Sequence, residues 1–228
     1  MKVEIYSDVA CPWCYVGERR FFRALDALPQ ADRVEVVFRP YQLDPSLPET
    51  PRPLAESLEA KFGPRLEATL RHTAAVAKQE GLDLRFDRAL AVNTLAAHRL
   101  LRLALEEAGP EAQRALADRL FAAHFTDGAN IADPALLADL AAEVGLDRGR
   151  TAAYLASDEG TDEVRAEIAH AQRLGIRAVP TFVFDGRYAV QGAQPTSTFL
   201  QVLEAIQQEA AASAEAATEA CVDGACAV

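Results

Sequence analysis

The sequence predicts an α/β protein carrying a large all-helical insertion and a C-terminal helical extension. Three observations lead to that fold class. Residues 3–38 read strand–helix–strand, residues 54–157 carry helical patterning with no strand signal, and residues 162–206 read helix–strand–strand–helix. With 228 residues, half of them hydrophobic and a quarter charged, the chain is long enough to bury a substantial core.

Residues 2–6 form a strand, and 15–28 an amphipathic helix whose apolar positions are Val16, Phe21, Phe22, Leu25 and Leu28. Residues 34–38 are a second, β-branched strand. A helix between the two implies parallel pairing. Pro40, Pro45, Pro48, Pro51 and Pro53 are too dense for a helix interior, so 40–53 is a surface loop.

The helical segments that follow are roughly 54–62, 64–80, 93–108, 110–125, 134–144 and 148–157. They break at Gly63-Pro64, Gly81, Gly109-Pro110, Asp127-Gly128 and Gly145. Asp133-Pro134 is a start signal, an N-cap followed by proline at the first helical position. Residues 162–174 form a helix closed by Gly175, and 181–184 with 188–190 form a hairpin around Asp185-Gly186. Ser197 caps a last helix with Phe199, Leu200, Leu203 and Ile206 on one face, and Ala-rich sequence continues it to about residue 220.

The outer pieces together have the element order of a thioredoxin fold. The expected organisation is a discontinuous thioredoxin-like domain at 1–53 and 158–207, an inserted helical domain at 54–157, and a tail at 208–228.

A net charge of −11 with no basic stripe argues against nucleic acid as a partner. No apolar run is long enough to span a bilayer, so no membrane partner is expected. Met1-Lys2 leads directly into the first strand without a signal peptide, which points to the cytoplasm. Four cysteines are too few for a disulfide scaffold of this size.

Two of those cysteines, Cys11 and Cys14, sit in Cys11-Pro12-Trp13-Cys14 between the first strand and the first helix. A C-x-x-C at such a junction reads as redox or metal chemistry. Cys11 is placed at a helix N-terminus, beside unpaired backbone N–H groups and the positive end of the dipole. That setting favours the thiolate, which is the nucleophile.

Residues 7–17 (SDVACPWCYVG) and 175–184 (GIRAVPTFVF) together resemble the DsbA family of thiol–disulfide oxidoreductases, and within it the FrnE-like branch. Asn93-Thr94, Ala97-His98-Arg99 and Gly192-Ala193-Gln194-Pro195 add to the resemblance, which covers about residues 2–207. It implies the helical insertion, and a cis Val179-Pro180 peptide facing Cys11 as a backbone wall where an extended substrate pairs. It also implies protein substrates with thiols or disulfides, a small-molecule thiol or thioredoxin-type redox partner, and no cofactor.

In this reading Cys11 attacks and Cys14 resolves the mixed disulfide. DsbA-type sites often carry His before the second cysteine; this chain has Trp13, whose indole bears no charge. The thiolate is then stabilised mainly by the helix terminus. That makes a less oxidising couple, better suited to an isomerase or reductase than to a dedicated oxidant.

Two other enzyme or ligand classes stand beside it. Glutathione-dependent isomerases or transferases of the 2-hydroxychromene-2-carboxylate isomerase and kappa-class type share the fold but generally carry Ser where this chain has Cys11. Zinc on Cys11, Cys14, Cys221 and Cys226 would need a loosely spaced second pair, and no metal is expected. Chaperone-like client binding is a further expectation.

Cys221 and Cys226 lie beyond the fold core and suit an auxiliary redox pair on the Ala-rich arm. A straight helix over 197–220 would span roughly 36 Å. His72, His98, His124 and His170 form no metal-spaced pair and read as structural or surface residues, with His98 the strongest exception. Asp8 and Glu18 flank the active helix as candidate proton acceptors for Cys14.

Overall fold

The computed structural model describes residues 1–222, with side chains as far as residue 212. Strand β1 (Lys2–Ser7) alternates its side chains across the sheet: Val3 and Ile5 enter the main core, while Tyr6 packs with Ala171 and Ile176 on the opposite face. Helix α1 (Pro12–Asp26) begins three residues earlier than its apolar pattern suggests. Pro12 supplies the preset φ of the first turn and removes an N–H that would have no helical partner. Strand β2 (Glu35–Pro40) pairs with β1 in parallel, Val3 opposite Val36 and Ile5 opposite Phe38.

The insertion was expected to hold no strand, and 40–53 to be loop throughout. Instead β3 (Arg52–Pro53) pairs antiparallel with β4 (Leu90–Ala91). Pro53 survives there because a two-residue ladder needs few N–H donors. Such a pair carries too little pattern to be read from sequence.

Between them lie α2 (Leu54–Phe62) and α3 (Leu66–Gln79), and after them α4 (Leu95–Ala122). The expected break at Gly109-Pro110 is a bend within α4, with Gly109 at φ 84° and ψ −177°. A non-glycine residue is strained there, and Pro110 has no N–H to continue the ladder. Helix α4 leads into a π-type turn over Ala123–Asp127. Helices α5 (Pro134–Glu143) and α6 (Arg148–Leu155) start on Asp133 and Asp147, whose carboxylates accept from Ala135 N and Arg150 N.

The chain returns through α7 (Thr161–Arg173), β5 (Thr181–Phe184), β6 (Tyr188–Gln191) and α8 (Thr196–Val222). The last helix starts one residue before Ser197, which lies inside its first turn and does not cap it; Pro195 O accepts from Thr198 N and Phe199 N. The main sheet has the order β2-β1-β5-β6, with β5 antiparallel to both neighbours.

Phe182 and Phe184, two apart on β5, share a face and meet Phe21 of α1; Phe199 of α8 contacts Phe21 and Phe182, with ring centroids 4.6–6.4 Å apart across the group. The insertion packs against this unit through α4, where Tyr15 stacks on Phe121 at 5.0 Å. Gln113 of α4 closes the free edge of β2: its Oε1 accepts from Phe38 N at 2.8 Å and its Nε2 donates to Phe38 O at 3.1 Å.

Candidate active site

The junction between β1 and α1 builds the site. Cys11 is the N-cap of α1; its N–H donates to Asp8 O at 2.9 Å, and its carbonyl accepts from Cys14 N at 3.0 Å. No acidic residue occupies the first turn of α1 to oppose negative charge at its N-terminus. Both cysteines are free thiols, Cys11 5% exposed and Cys14 1% exposed.

Cys11 faces the loop before β5. The Val179-Pro180 peptide is cis, and Cys11 Sγ lies 3.8 Å from Val179 O. This loop is pinned at both ends. Thr181 Oγ1 donates to Ala178 O at 2.8 Å, and Gly192 N donates to Pro180 O at 2.7 Å. Arg20 of α1 reaches the next turn, donating to Ala193 O at 2.8 Å.

Trp13 is half-buried and leans toward His72 of α3, with ring centroids 6.3 Å apart. The helical insertion therefore borders the dithiol although His72 is remote in sequence.

Cys14 points inward. Burial, reinforced by the neighbouring Cys11 thiol, pushes its pKa well above the ordinary thiol value; the Ser7 hydroxyl and the Asp8 backbone work in the opposite direction.

The two carboxyl candidates are both buried but point to different places. Glu18 lies toward Asp118, Arg19 and Arg114, and burial pushes its pKa well above the usual carboxylate range. Asp8 accepts from Leu43 N at 2.7 Å and Ala10 N at 3.3 Å, and its Oδ1 lies 3.4 Å from His98 Nε2. His124 is also buried, within the field of Asp8, and burial pulls its pKa down to about 4. His72 and His170 are exposed.

Asn93 and Thr94 hold the proline-rich loop to the start of α4. Asn93 Nδ2 donates to Leu47 O at 2.8 Å, and Gln42 Nε2 donates to Asn93 Oδ1 at 3.0 Å. Ser7 and Gly17 had no assigned role; the structure sets Ser7 against Cys14 and Gly17 against Pro180. The dithiol at a strand–helix junction, facing a backbone carbonyl beside a cis proline, is an arrangement for thiol–disulfide exchange.

The family model for the DSBA-like thioredoxin domain matches residues 2–204. The chain belongs to that family. Its structure is similar to the crystal structure of a probable DsbA oxidoreductase from Streptomyces coelicolor, with 40% identity, a TM-score of 0.84, and 92% of this chain and 91% of that one covered. The fold is also that of the cytosolic disulfide reductase DsbM from Pseudomonas aeruginosa, at 21% identity and a TM-score of 0.67, with 91% and 99% covered. Among curated proteins, the uncharacterized protein YwbO of Bacillus subtilis is 28% identical over 92% of this chain and 98% of its own length.

As a DsbA-like protein this chain carries a thioredoxin fold interrupted by a helical insertion, and its family consists of thiol–disulfide oxidoreductases. Among the described residues no helix is long and apolar enough to cross a membrane, and no group of His, Cys, Asp and Glu is placed to hold a metal ion. The expected auxiliary pair falls outside the described residues, since the Cys221 side chain and all of Cys226 lie there.

Proposed function

We propose that this protein is a thiol–disulfide oxidoreductase/isomerase acting on protein disulfides in the cytoplasm, with Cys11 attacking and Cys14 resolving. The observation that carries the reading is the pair of free thiols with Cys11 Sγ turned to Val179 O, 3.8 Å away. An extended substrate that pairs with the backbone at Val179 brings its disulfide to Cys11. Attack by the Cys11 thiolate forms a mixed disulfide and releases one substrate thiolate. Attack by Cys14 on Cys11 Sγ then forms the Cys11–Cys14 disulfide and releases the other. A small-molecule thiol such as glutathione, or a thioredoxin-type protein, restores the dithiol.

Trp13 supplies no cation beside Cys11, which favours reduction and isomerisation over dedicated oxidation. The presence of Cys11 where glutathione-dependent isomerases generally carry Ser favours exchange over that alternative. The Trp13-bearing motif together with Asn93-Thr94 supports the FrnE-like branch, with Cys221 and Cys226 as an auxiliary dithiol and the insertion as a surface for unfolded clients.

Insulin reduction and refolding of scrambled ribonuclease test the core of the reading. Cys11→Ala abolishes both activities. Retention of either activity in that variant rejects it. Cys221→Ser/Cys226→Ser slows recycling; unchanged turnover and recycling reject the auxiliary role.

A further inference from the structure

Resolution needs a proton acceptor that the dithiol itself does not contain. Cys14 is 1% exposed, so its proton has no direct path to solvent. The Ser7 hydroxyl, at the end of β1, neighbours the Cys14 thiol and acts on it in the direction that favours the thiolate. Ser7 and His98 both line a cavity of about 50 Å³, together with Val9, Phe38, Gln113 and Phe121. That volume exceeds the roughly 10–15 Å³ that one water requires. Its outer wall is formed by Arg102, Glu106 and Glu167, all partly exposed, which gives a way out to solvent.

His98 is 3% exposed and comes from the first turn of α4, in the insertion. Its Nε2 makes no hydrogen bond among the described residues, although Asp8 Oδ1 stands 3.4 Å away. Asp8 is fixed by Leu43 N and Ala10 N, so its carboxylate is a rigid support for a charge on the imidazole. We propose that His98, supported by Asp8, takes up the proton of Cys14 through the Ser7 hydroxyl when Cys14 attacks the Cys11 mixed disulfide. His98 acts through Ser7 and the cavity, and is a positioning and proton-handling residue; it does not touch the substrate. The inference rests on the thiol-exchange reading above.

The charged and titratable groups around His98 come from several elements. Asp8 faces it from the end of β1, and Cys14 lies beyond Ser7 on α1. Arg39 from β2, Arg102 and Glu106 from α4, and Glu167 from α7 share the cavity wall and are tied to one another in ion pairs. His124, buried within the field of Asp8, stays neutral near pH 7 because burial holds it at about 4. The unpartnered Nε2 is a nitrogen able to accept a proton, with the Asp8 carboxylate 3.4 Å away to balance the resulting charge. The balance closes: the Cys14 proton passes to His98 and then to solvent, the Cys11–Cys14 bond forms, and the bond from Cys11 to the substrate sulfur breaks to release a thiolate.

The test uses the full-length reduced protein with 5,5′-dithiobis(2-nitrobenzoate), whose two thiolates leave in sequence. The first released equivalent reports attack by Cys11, and the second reports resolution by Cys14. In the wild type the second phase rises with pH less steeply than an unassisted buried thiol would, because an internal acceptor takes the proton. In His98→Asn it is at least tenfold slower at pH 7 and climbs about tenfold per pH unit to pH 9, as expected for direct ionisation of a buried thiol. The first phase changes less than twofold. Ser7→Ala gives the same slowing and the same change of profile, and decides the matter alone if His98→Asn does not fold. A second phase within twofold of wild type, or one with the wild-type profile, overturns the inference while leaving exchange intact. Absence of a first phase in the wild type overturns the exchange reading and this inference with it.

Discussion

A Cβ placed on Gly17 would sit 2.9 Å from Pro180 Cγ and 3.4 Å from Ala193 Cα. The first turns of α1 and the cis-proline loop therefore touch through a glycine, at a proline one residue along the chain from Val179.

Gly17→Ala pits two effects against each other. Alanine is favoured over glycine in a helix by up to about 1 kcal/mol. Overpacking typically costs about 1–3 kcal/mol, and a pinned proline ring gives way poorly. The net expectation is a stability loss of about 1 kcal/mol in urea unfolding. KM for a peptide disulfide rises several-fold, because the Val179 wall moves, while alkylation of Cys11 changes little. An unaltered KM would show that the wall does not bind substrate.

The two thiols differ in environment, and the difference has a direct chemical readout. Burial holds the Cys14 thiol protonated well beyond neutral pH. At pH 7, limited iodoacetamide labels Cys11 and leaves Cys14 unmodified by mass spectrometry. Labelling of Cys14 appears only as the pH is raised well above 9. Cys14→Ser accumulates a stable mixed disulfide on Cys11 with a client peptide, because the resolving step is lost.

His124 makes the fold sensitive to acid. The unfolded chain takes up this proton near 6.5, the folded chain only near 4. Between those values the unfolded state binds more protons, so stability falls as pH falls through the window and is unaffected above it. The loss reaches about 3 kcal/mol by pH 4. Denaturant unfolding at pH 7 and pH 4.5 measures it, and His124→Gln removes most of the difference.

Gln113 supplies both hydrogen bonds to the Phe38 backbone at the edge of β2. Gln113→Ala leaves a buried N–H and C=O unpaired, at a cost of about 2–3 kcal/mol. Amide exchange at Phe38 accelerates accordingly. A loss below about 0.5 kcal/mol would mean that the edge finds another partner.

Much of this molecule was legible in local pattern. The alternation of Val3 and Ile5, the apolar stripe of α1 and the Asp133-Pro134 start depend on neighbours within a few residues, where period and capping chemistry operate. The misses follow from the same range limit. The ladder of Arg52–Pro53 with Leu90–Ala91 is two residues long and needs a partner nearly forty positions away. Ser197 looked like a cap because Ser is favoured there, but the turn closed on Pro195 instead.

The sequence by itself determined a dithiol at a strand–helix junction, a Val-Pro before a hairpin, and a long helical block between the two halves. Only the tertiary structure decided what surrounds the dithiol. It brought Val179 O to 3.8 Å from Cys11, set Gly17 against Pro180, and carried His98 to within 3.4 Å of Asp8. No local rule encodes those meetings. Each joins segments about 90 to 170 residues apart, and each is fixed by packing of the insertion and the hairpin onto one core.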